Sequence, residues 1–506
     1  MNLSRKFLPR LGDIFFAALF IAILLLGGRM INLDGDLPRH LLFGKLILAE
    51  RAIPDTEPLI YPYENRAYVS HEWLSQVVYQ VVYSAAGLPG LVLLAAVLLA
   101  ATFLISYNYL VGRLSLRLPV LFIVAWGAFA ASLNWAIRPH LFSMFLLALW
   151  LTWADRLRRG EKISIWRFPA LMVLWSNFHG VFIAGVLVLF AFAVGWAVDY
   201  FVENIFAPPR GQRDTKEKPV VPLRDPSWSI GKHLWLALVL SIAASILNPG
   251  GAGSWFSILG FVNNQYLMSR MAEANPPNFQ LPELRIFFLL LVFSIFLLAV
   301  KRNQLSSGQG LLLAGFSAMS LMAFRNVHLY GVVAPFVLAE ALTDLRSVSL
   351  VNRLEATLAR VEDQIRGAMY PVLTVLAFGV LVVFSPISKI LYRFEPETFP
   401  VDAVRWLESN PQSGRMFNDL NWGGYLALNL HPQKTFVDSV ADVTGEVTLE
   451  YETVITLAAG WEDILEKYDV GWVVVPADSA LTKKLAEQGW RELYRDETAA
   501  ILKNEK

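Results

Sequence analysis

Apolar and polar residues alternate in long blocks along this chain, and the blocks are the length that crosses a bilayer. A spanning helix needs about 20 mainly apolar residues. Eleven segments predict such helices: Leu11–Ile31, Leu88–Leu110, Leu118–Trp135, Leu141–Ala154, Phe168–Asn177, Phe182–Phe201, Leu234–Leu247, Ile286–Val300, Leu311–Ala323, Val327–Leu342 and Tyr370–Ser385. The first follows Arg5, Lys6 and Arg10 but has no small-residue cleavage site before Asp34, so it reads as an uncleaved helix rather than a signal peptide. Trp73–Ala86 is apolar but broken by Gln76 and Gln80, which predicts an interfacial or re-entrant helix. Residues 207–226, rich in proline and charge, read as a flexible loop.

From Phe394 the period shortens. Arg415–Asn418, Thr435–Asp438, Gly471–Val475 and Ala499–Leu502 predict strands. Trp461–Tyr468 and Ser479–Gln488 predict helices, the second capped by Ser479 or Asp478. The expected organisation is a polytopic α-helical membrane domain over 1–388 with a large first loop at 32–72, and a small C-terminal α/β domain over 389–506.

Basic residues orient the layout. With the N-terminus in the cytoplasm, every cytoplasmic connection is basic, most clearly at Arg156, Arg158, Arg159 and Lys162. An odd number of spans then places the α/β domain outside the cytoplasm. Composition agrees with a membrane protein: of 506 residues 55% are hydrophobic and 17% charged, and mean hydropathy is +0.47. Soluble domains carry about 25% charged residues. The 43 basic and 42 acidic residues nearly cancel, so no global field suggests a nucleic-acid partner. With no cysteine, disulfides, thiolate metal sites and thiol catalysis are excluded.

Ionisable residues at a membrane edge are costly and mark candidate sites. In this topology five of the seven histidines, His40, His71, His140, His179 and His328, fall on the outer side. Arg138, Asn177, Asn248, Arg325 and Asn326 lie at the same level, contributed by several helices, while the charges on the cytoplasmic side read as ordinary anchors. The first loop opens Asn32-Leu33-Asp34-Gly35-Asp36. Two carboxylates flanking a glycine can turn to one point, where they would hold a divalent cation such as Mg or Mn through oxygen, or supply a general base. An N-cap for the following helix is the plainer reading of the same residues. The Gly423–Gly424 pair lacks the spacing of a phosphate-binding loop. Trp422, Tyr425, Trp461 and Trp472 read as core, and His431 with Asp438 and Asp442 lacks metal-site spacing.

Three stretches carry a resemblance. They are Asp34-Gly35-Asp36 with His40, Gly44, Ile53-Pro54-Asp55 and His71-Glu72-Trp73-Leu74; then Trp175-Ser176-Asn177-Phe178-His179-Gly180; then Asn418-Asp419, Trp422-Gly423-Gly424-Tyr425 and Phe436-Val437-Asp438. Their order resembles a bacterial branch of the GT-C class of integral membrane glycosyltransferases, which use polyprenyl-phosphate-linked sugars. The resemblance implies a bacterial inner-membrane enzyme that transfers a hexosyl or pentosyl unit to an extracytoplasmic hydroxyl on a lipid, glycan or protein acceptor, with inversion. It carries the acidic base onto Asp34 or Asp36. The acidic-aromatic signatures of oligosaccharyltransferases are not evident, so transfer of whole oligosaccharides to asparagine is not expected. In this reading Arg138 and Arg325 grip the phosphate as guanidinium forks, His40, His140, Asn177, His179 and His328 add contacts to the substrate, and Glu72 orients the acceptor. The alternatives are a transporter or flippase of an envelope precursor, which would show inverted repeats and mid-membrane charge, and a non-catalytic envelope scaffold.

Overall fold

A computed structural model describes residues 8–203, 228–301, 304–363, 365, 369–439 and 441–505, so the loop expected at 207–226 lies outside the described residues. The helical part is built from α1 (Leu11–Asn32), α2 (Asp36–Glu50), α3 (Trp73–Leu114), α4 (Arg117–Ala131), α5 (His140–Arg158), α6 (Arg167–Phe178), α7 (Ile183–Phe201), α8 (Trp228–Ala244), α9 (Gly253–Asn263), α10 (Gln265–Arg270), α11 (Arg285–Lys301), α12 (Ser307–Met322), α13 (Val327–Ala341), α14 (Ser349–Glu362), α15 (Tyr370–Phe384) and α16 (Pro386–Leu391). Each of the eleven apolar segments is helical. Five helical stretches are long and apolar enough to cross a membrane unaided: 11–32, 73–114, 117–134, 180–201 and 282–301. The protein is an integral membrane protein with one continuous apolar core through the bundle.

One agreement with the hydropathy pattern and one difference matter. Within α3 the backbone leaves helical geometry at Gly87 (φ 62°, ψ −158°), two residues before Pro89, so Trp73–Ala86 is a helix distinct from the span that begins at Leu88, as the pattern expects. Gln76, which suggested the break, is buried against His40 at 3.5 Å. α14, amphipathic rather than apolar, was invisible to a search for spans. Glycines let α4 and α13 cross closely: a Cβ on Gly127 of α4 would lie 2.3 Å from the Gly331 carbonyl oxygen of α13, and one on Gly331 2.4 Å from that of Gly127.

Direction along the bundle is fixed by hydrogen bonds at both ends of α1. Arg10 donates to the Ile365 carbonyl at one end (2.8 Å), and Asn32 donates to Arg393 and accepts from Glu395 at the other, both at 2.9 Å. α1 and α15 therefore run the same way, as an odd number of crossings requires. The end at which α1 begins is closed by charge: Asp155 accepts from Arg113 at 3.0 Å and from Tyr109 at 2.5 Å, and Arg158 reaches both Asp155 (2.5 Å) and Glu340 (3.1 Å). Arg158 is thus an internal tie between α5 and α13 rather than a plain surface anchor.

The C-terminal part holds α17 (Val401–Ser409), β1 (Arg415–Asn418), α18 (Gly423–Leu430), α19 (Ala441–Ile455), α20 (Trp461–Lys467), β2 (Val470–Pro476), α21 (Ala480–Glu487), β3 (Arg491–Arg495) and β4 (Ala499–Lys503). The sheet order is β1-β2-β4-β3, with β1 parallel to β2 and the other pairs antiparallel. Thr435–Asp438 is not a strand of this sheet; only Thr435 forms a bridge, to Ile60. Its apolar residues are buried as a connection, while β3, half exposed and charged, gave no strand signal. Ser479 is the cap of α21, accepting from Thr482 N at 3.1 Å. Trp422, Tyr425, Trp461 and Trp472 are core, as expected.

The sheet domain docks on α2. Ile60 and Tyr63 of the first loop enter its core. A Cβ on Gly423 would meet the Val437 carbonyl oxygen at 2.1 Å and one on Gly424 the Gly35 carbonyl oxygen at 2.8 Å, so the glycine pair serves close backbone approach. Arg39 of α2, 1% exposed, pairs with Glu57 at 2.7 Å and with Asp438, both wholly buried. Removing one partner strands a buried charge. Asp438→Asn is expected to lower the unfolding free energy by about 3–5 kcal/mol, read by denaturant unfolding in detergent; a loss under about 1 kcal/mol would show that the triad does not hold the domain.

Candidate functional site

The polar residues singled out by sequence converge at the end of the bundle where α1 finishes and the sheet domain sits. α1 stops at Asn32, and Asp34 and Asp36 lead into α2. Asp34 Oδ1 accepts the Asp36 N–H at 3.0 Å, a local turn ahead of the helix, but the N-cap of α2 is Gly35 and no side chain caps it, so neither aspartate is the N-cap. The remaining oxygens face Arg138, on the connection between α4 and α5: Nη1 lies 3.3 Å from Asp34 Oδ2, and Nη2 2.7 Å from Asp36 Oδ2. A third carboxylate, Glu273, lies 3.0 Å from the same Nη1 and 3.9 Å from Arg325 Nη1. Glu273 follows α10 in the long α8–α11 connection and was missed, because a lone acidic residue in an irregular loop carries no pattern.

The two aspartates differ electrostatically. Burial pushes the Asp34 carboxyl up, to about 6, against the pull of Arg138. Burial acts on Asp36 too, but Arg138 and the Ser439 hydroxyl outweigh it and hold Asp36 below its usual value. Ser439, from the sheet domain, donates to Asp36 Oδ1 at 2.5 Å, so that domain completes the surroundings of the pair. For Glu273, burial is outweighed by Arg138 and Arg325, and its carboxyl is held low. His40, desolvated on α2, is pushed down to about 3 and is neutral at physiological pH.

A second group forms around Glu72, which precedes α3. His179 Nε2 lies 3.3 Å from Glu72 Oε1, with His71 Nε2 and His40 Nδ1 each 3.9 Å from the carboxylate. Trp175 donates to Ser143 Oγ at 2.9 Å, leaving the Ser143 hydrogen for His179 Nδ1, also at 2.9 Å. His179 then presents Nε2–H to Glu72. The Trp175–His179 spacing thus serves to aim one imidazole. His140 and His328, in the first turns of α5 and α13, lie with ring centroids 4.9 Å apart and ring planes tilted by 53°. Among the described residues His140 Nε2 and both His328 nitrogens have no hydrogen-bond partner.

The asparagines do not join these groups. Asn177 accepts from Trp73 at 2.7 Å and donates to Val173 and Leu247, tying α3, α6 and the end of α8. Asn248 is spent on Ser245, Gly250 and Ser254, and Asn326 donates to Met319. Their polar groups serve the backbone at helix ends. The divalent cation considered for Asp34 and Asp36 does not fit this donor set, because a guanidinium bridges the two carboxylates. Among the described residues no group of three or more His, Asp and Glu side chains is arranged to hold a metal ion.

No protein-family model matches the chain, and no curated protein matches it in sequence. Solved structures do match in shape. The archaeal oligosaccharyltransferase AglB from Archaeoglobus fulgidus, in complex with an inhibitory peptide and a dolichol-phosphate, aligns over 97% of this chain and 74% of its own, with TM-score 0.56 and 13% identity. ArnT from Cupriavidus metallidurans in the apo state aligns over 97% of both chains, with TM-score 0.51 and 13% identity. The chain has the GT-C fold. At this identity the likeness is one of fold, so the chemistry must rest on the residues.

The opposed aspartates make a test. Asp34, with its carboxyl raised in the fold, is neutral where the unfolded chain is already ionised, so it costs stability as pH rises from about 4 to 6, and the cost is constant above. Asp34→Asn is therefore expected to stabilise the protein at pH 8 and to lose that gain below pH 4. Asp36, held low, contributes stability above its unfolded value that disappears as pH falls through its folded one; Asp36→Asn should destabilise at pH 8. Unfolding midpoints of both variants across pH check the signs, and equal behaviour of the two would refute the asymmetry.

Proposed function

We propose that this protein is a membrane glycosyltransferase that moves a sugar from a polyprenyl-phosphate donor to an acceptor hydroxyl outside the cytoplasm. The observation that carries the reading is the pair Arg138 and Arg325, bridged by the Glu273 carboxylate beside two aspartates. Two guanidiniums holding one internal carboxylate are suited to a phosphate, which offers more oxygens and more charge. The N-terminal turns of α5 and α13, with His140 and His328, add partial positive charge and ring nitrogens at the same place. The fold likeness to AglB, whose structure carries a dolichol-phosphate, agrees.

The chemistry assigned to these residues is a displacement at the anomeric carbon. Asp34, whose carboxyl sits near 6, takes the acceptor hydroxyl proton; the acceptor oxygen bonds to the anomeric carbon; the bond from that carbon to the phosphate oxygen breaks, and its electron pair leaves with the polyprenyl phosphate. Arg138 and Arg325 stabilise that leaving charge, and the anomeric centre inverts. Asp36, engaged by Arg138 and Ser439, orients Arg138 rather than carrying the proton. Glu72, with His179 aimed at it, orients the acceptor. The closed charge network at the opposite end favours a one-sided enzyme over a transporter that opens to both sides. The basic connections support an N-terminus in the cytoplasm and a sheet domain outside it, and the resemblance to a bacterial branch of the GT-C class supports a bacterial inner membrane. Neither a metal nor a cofactor enters these steps.

The test is thermal stabilisation in detergent by undecaprenyl monophosphate, with phosphatidylglycerol and free undecaprenol as controls. Selective stabilisation is expected, with Arg138→Ala and Arg325→Ala each weakening apparent affinity about ten-fold or more, as for loss of a charged hydrogen bond. Glu273→Gln is expected to tighten binding, because the phosphate no longer displaces an internal anion. Stabilisation by phosphatidylglycerol equal to that by the polyprenyl phosphate would refute the reading. With a donor identified, Asp34→Asn should lower kcat by about 10²–10⁴-fold; unchanged turnover would remove Asp34 as the base.

A further inference from the structure

At the end of the bundle opposite the arginine site, α14 is held by its acidic residues to the first turns of two spanning helices. Glu355 accepts the backbone N–H groups of Arg117 (2.7 Å) and Leu118 (2.8 Å), which begin α4. Glu362 accepts the N–H of Leu11, which begins α1, at 2.8 Å and pairs with Arg117 Nε at 2.5 Å. These bonds satisfy donors that a helix start leaves open, and they fix the level of α14. A helix tied to the first residues of two spans lies at the membrane edge.

The rest of the α14 surface divides about this acidic seam. At 100° per residue, Leu350, Val351, Leu354, Leu358 and Val361 fall on one side, and Asn352, Arg353, Ala356 and Arg360 on the other. Leu350 is 65% exposed, Leu354 46% and Val361 50%. Arg346, Arg353 and Arg360 are exposed as well, and among the described residues none makes an ion pair. Both glutamates of the helix are spent on capping, so its outward charge is positive.

We propose that α14 is an interfacial helix that binds the bilayer surface, burying Leu350, Leu354 and Val361 among acyl chains and drawing anionic phospholipid headgroups to Arg346, Arg353 and Arg360. The occupant follows from the geometry: an apolar stripe beside the ends of spanning helices meets lipid, and arginines along its other edge meet phosphate. A second copy of the chain would have to bring anionic groups to the same level.

The absence of cysteine from the chain makes the test direct. Leu354→Cys and Ala356→Cys, each carrying an environment-sensitive fluorophore, are reconstituted in vesicles with brominated lipids. The label at 354 is expected to be quenched and that at 356 to remain in a polar setting. Brominated phosphatidylglycerol should quench at 354 more than brominated phosphatidylcholine, an enrichment falling about five-fold for each arginine that engages a headgroup when Arg353→Gln and Arg360→Gln are added. Equal quenching at 354 and 356, or no preference between the two lipids, overturns the proposal. Energy transfer between differently labelled copies at 354, in place of lipid quenching, overturns it in favour of a protein contact.

Discussion

The geometry of the candidate site depends on the need of one half-buried guanidinium for anionic partners. Arg138, half-way between solvent and the helical core, faces Asp34, Asp36 and Glu273 together. Those groups arrive from the end of α1, the start of α2 and the α8–α11 connection, and Arg325 approaches through Glu273. An unpaired charge at that depth is expensive, and so is each carboxylate without a cation. The helix ends that supply them are therefore pulled to one place.

The sheet domain belongs to the same arrangement. Arg39, three residues beyond Asp36, is locked between Glu57 and Asp438, and Ser439, the next residue, donates to Asp36. The anchoring of the domain and the tuning of the aspartate pair are thus one continuous stretch of contacts. Gly423 and Gly424 let the backbones approach closely enough for this to form. In the proposed reaction, a change at the domain interface alters the base region without touching substrate. The α10 strap adds a further tie, since Arg270 pairs at 2.7 Å with Glu452 of α19, three residues before Glu273.

Charge is used differently at the two ends of the bundle. At the far end, Asp155 and Glu340 are matched by Arg113 and Arg158 into a closed network, which holds helices. At the site end three carboxylates share two arginines, and several imidazole nitrogens have no partner among the described residues. Satisfied networks rigidify, whereas a buried polar group without a partner calls for an explanation, a catalytic role being one. That contrast separates structural charge from the groups assigned to chemistry.

The sequence by itself determined the membrane class, the spans and, in outline, the polar residues that gather at the candidate site. Long apolar runs have no other stable home than a bilayer, and Asp34, Asp36, Arg138, His179, Arg325 and His328 stand out because charge and imidazole at span ends are costly. Asn177 stood out for the same reason, yet the structure uses it to tie helices, since an amide at a helix end serves backbone as readily as substrate. Glu273, Arg39 and Ser439 were not legible: they lie in irregular loops or on an unremarkable helix face, where no period marks them. The position of α14 was likewise set by packing, because an amphipathic helix blurs the apolar signal. Only the tertiary structure decided that Asp34 and Asp36 differ. Their neighbours in sequence are nearly the same, and what separates them is the unequal reach of one arginine, the His40 imidazole beside Asp36 and a serine some four hundred residues away.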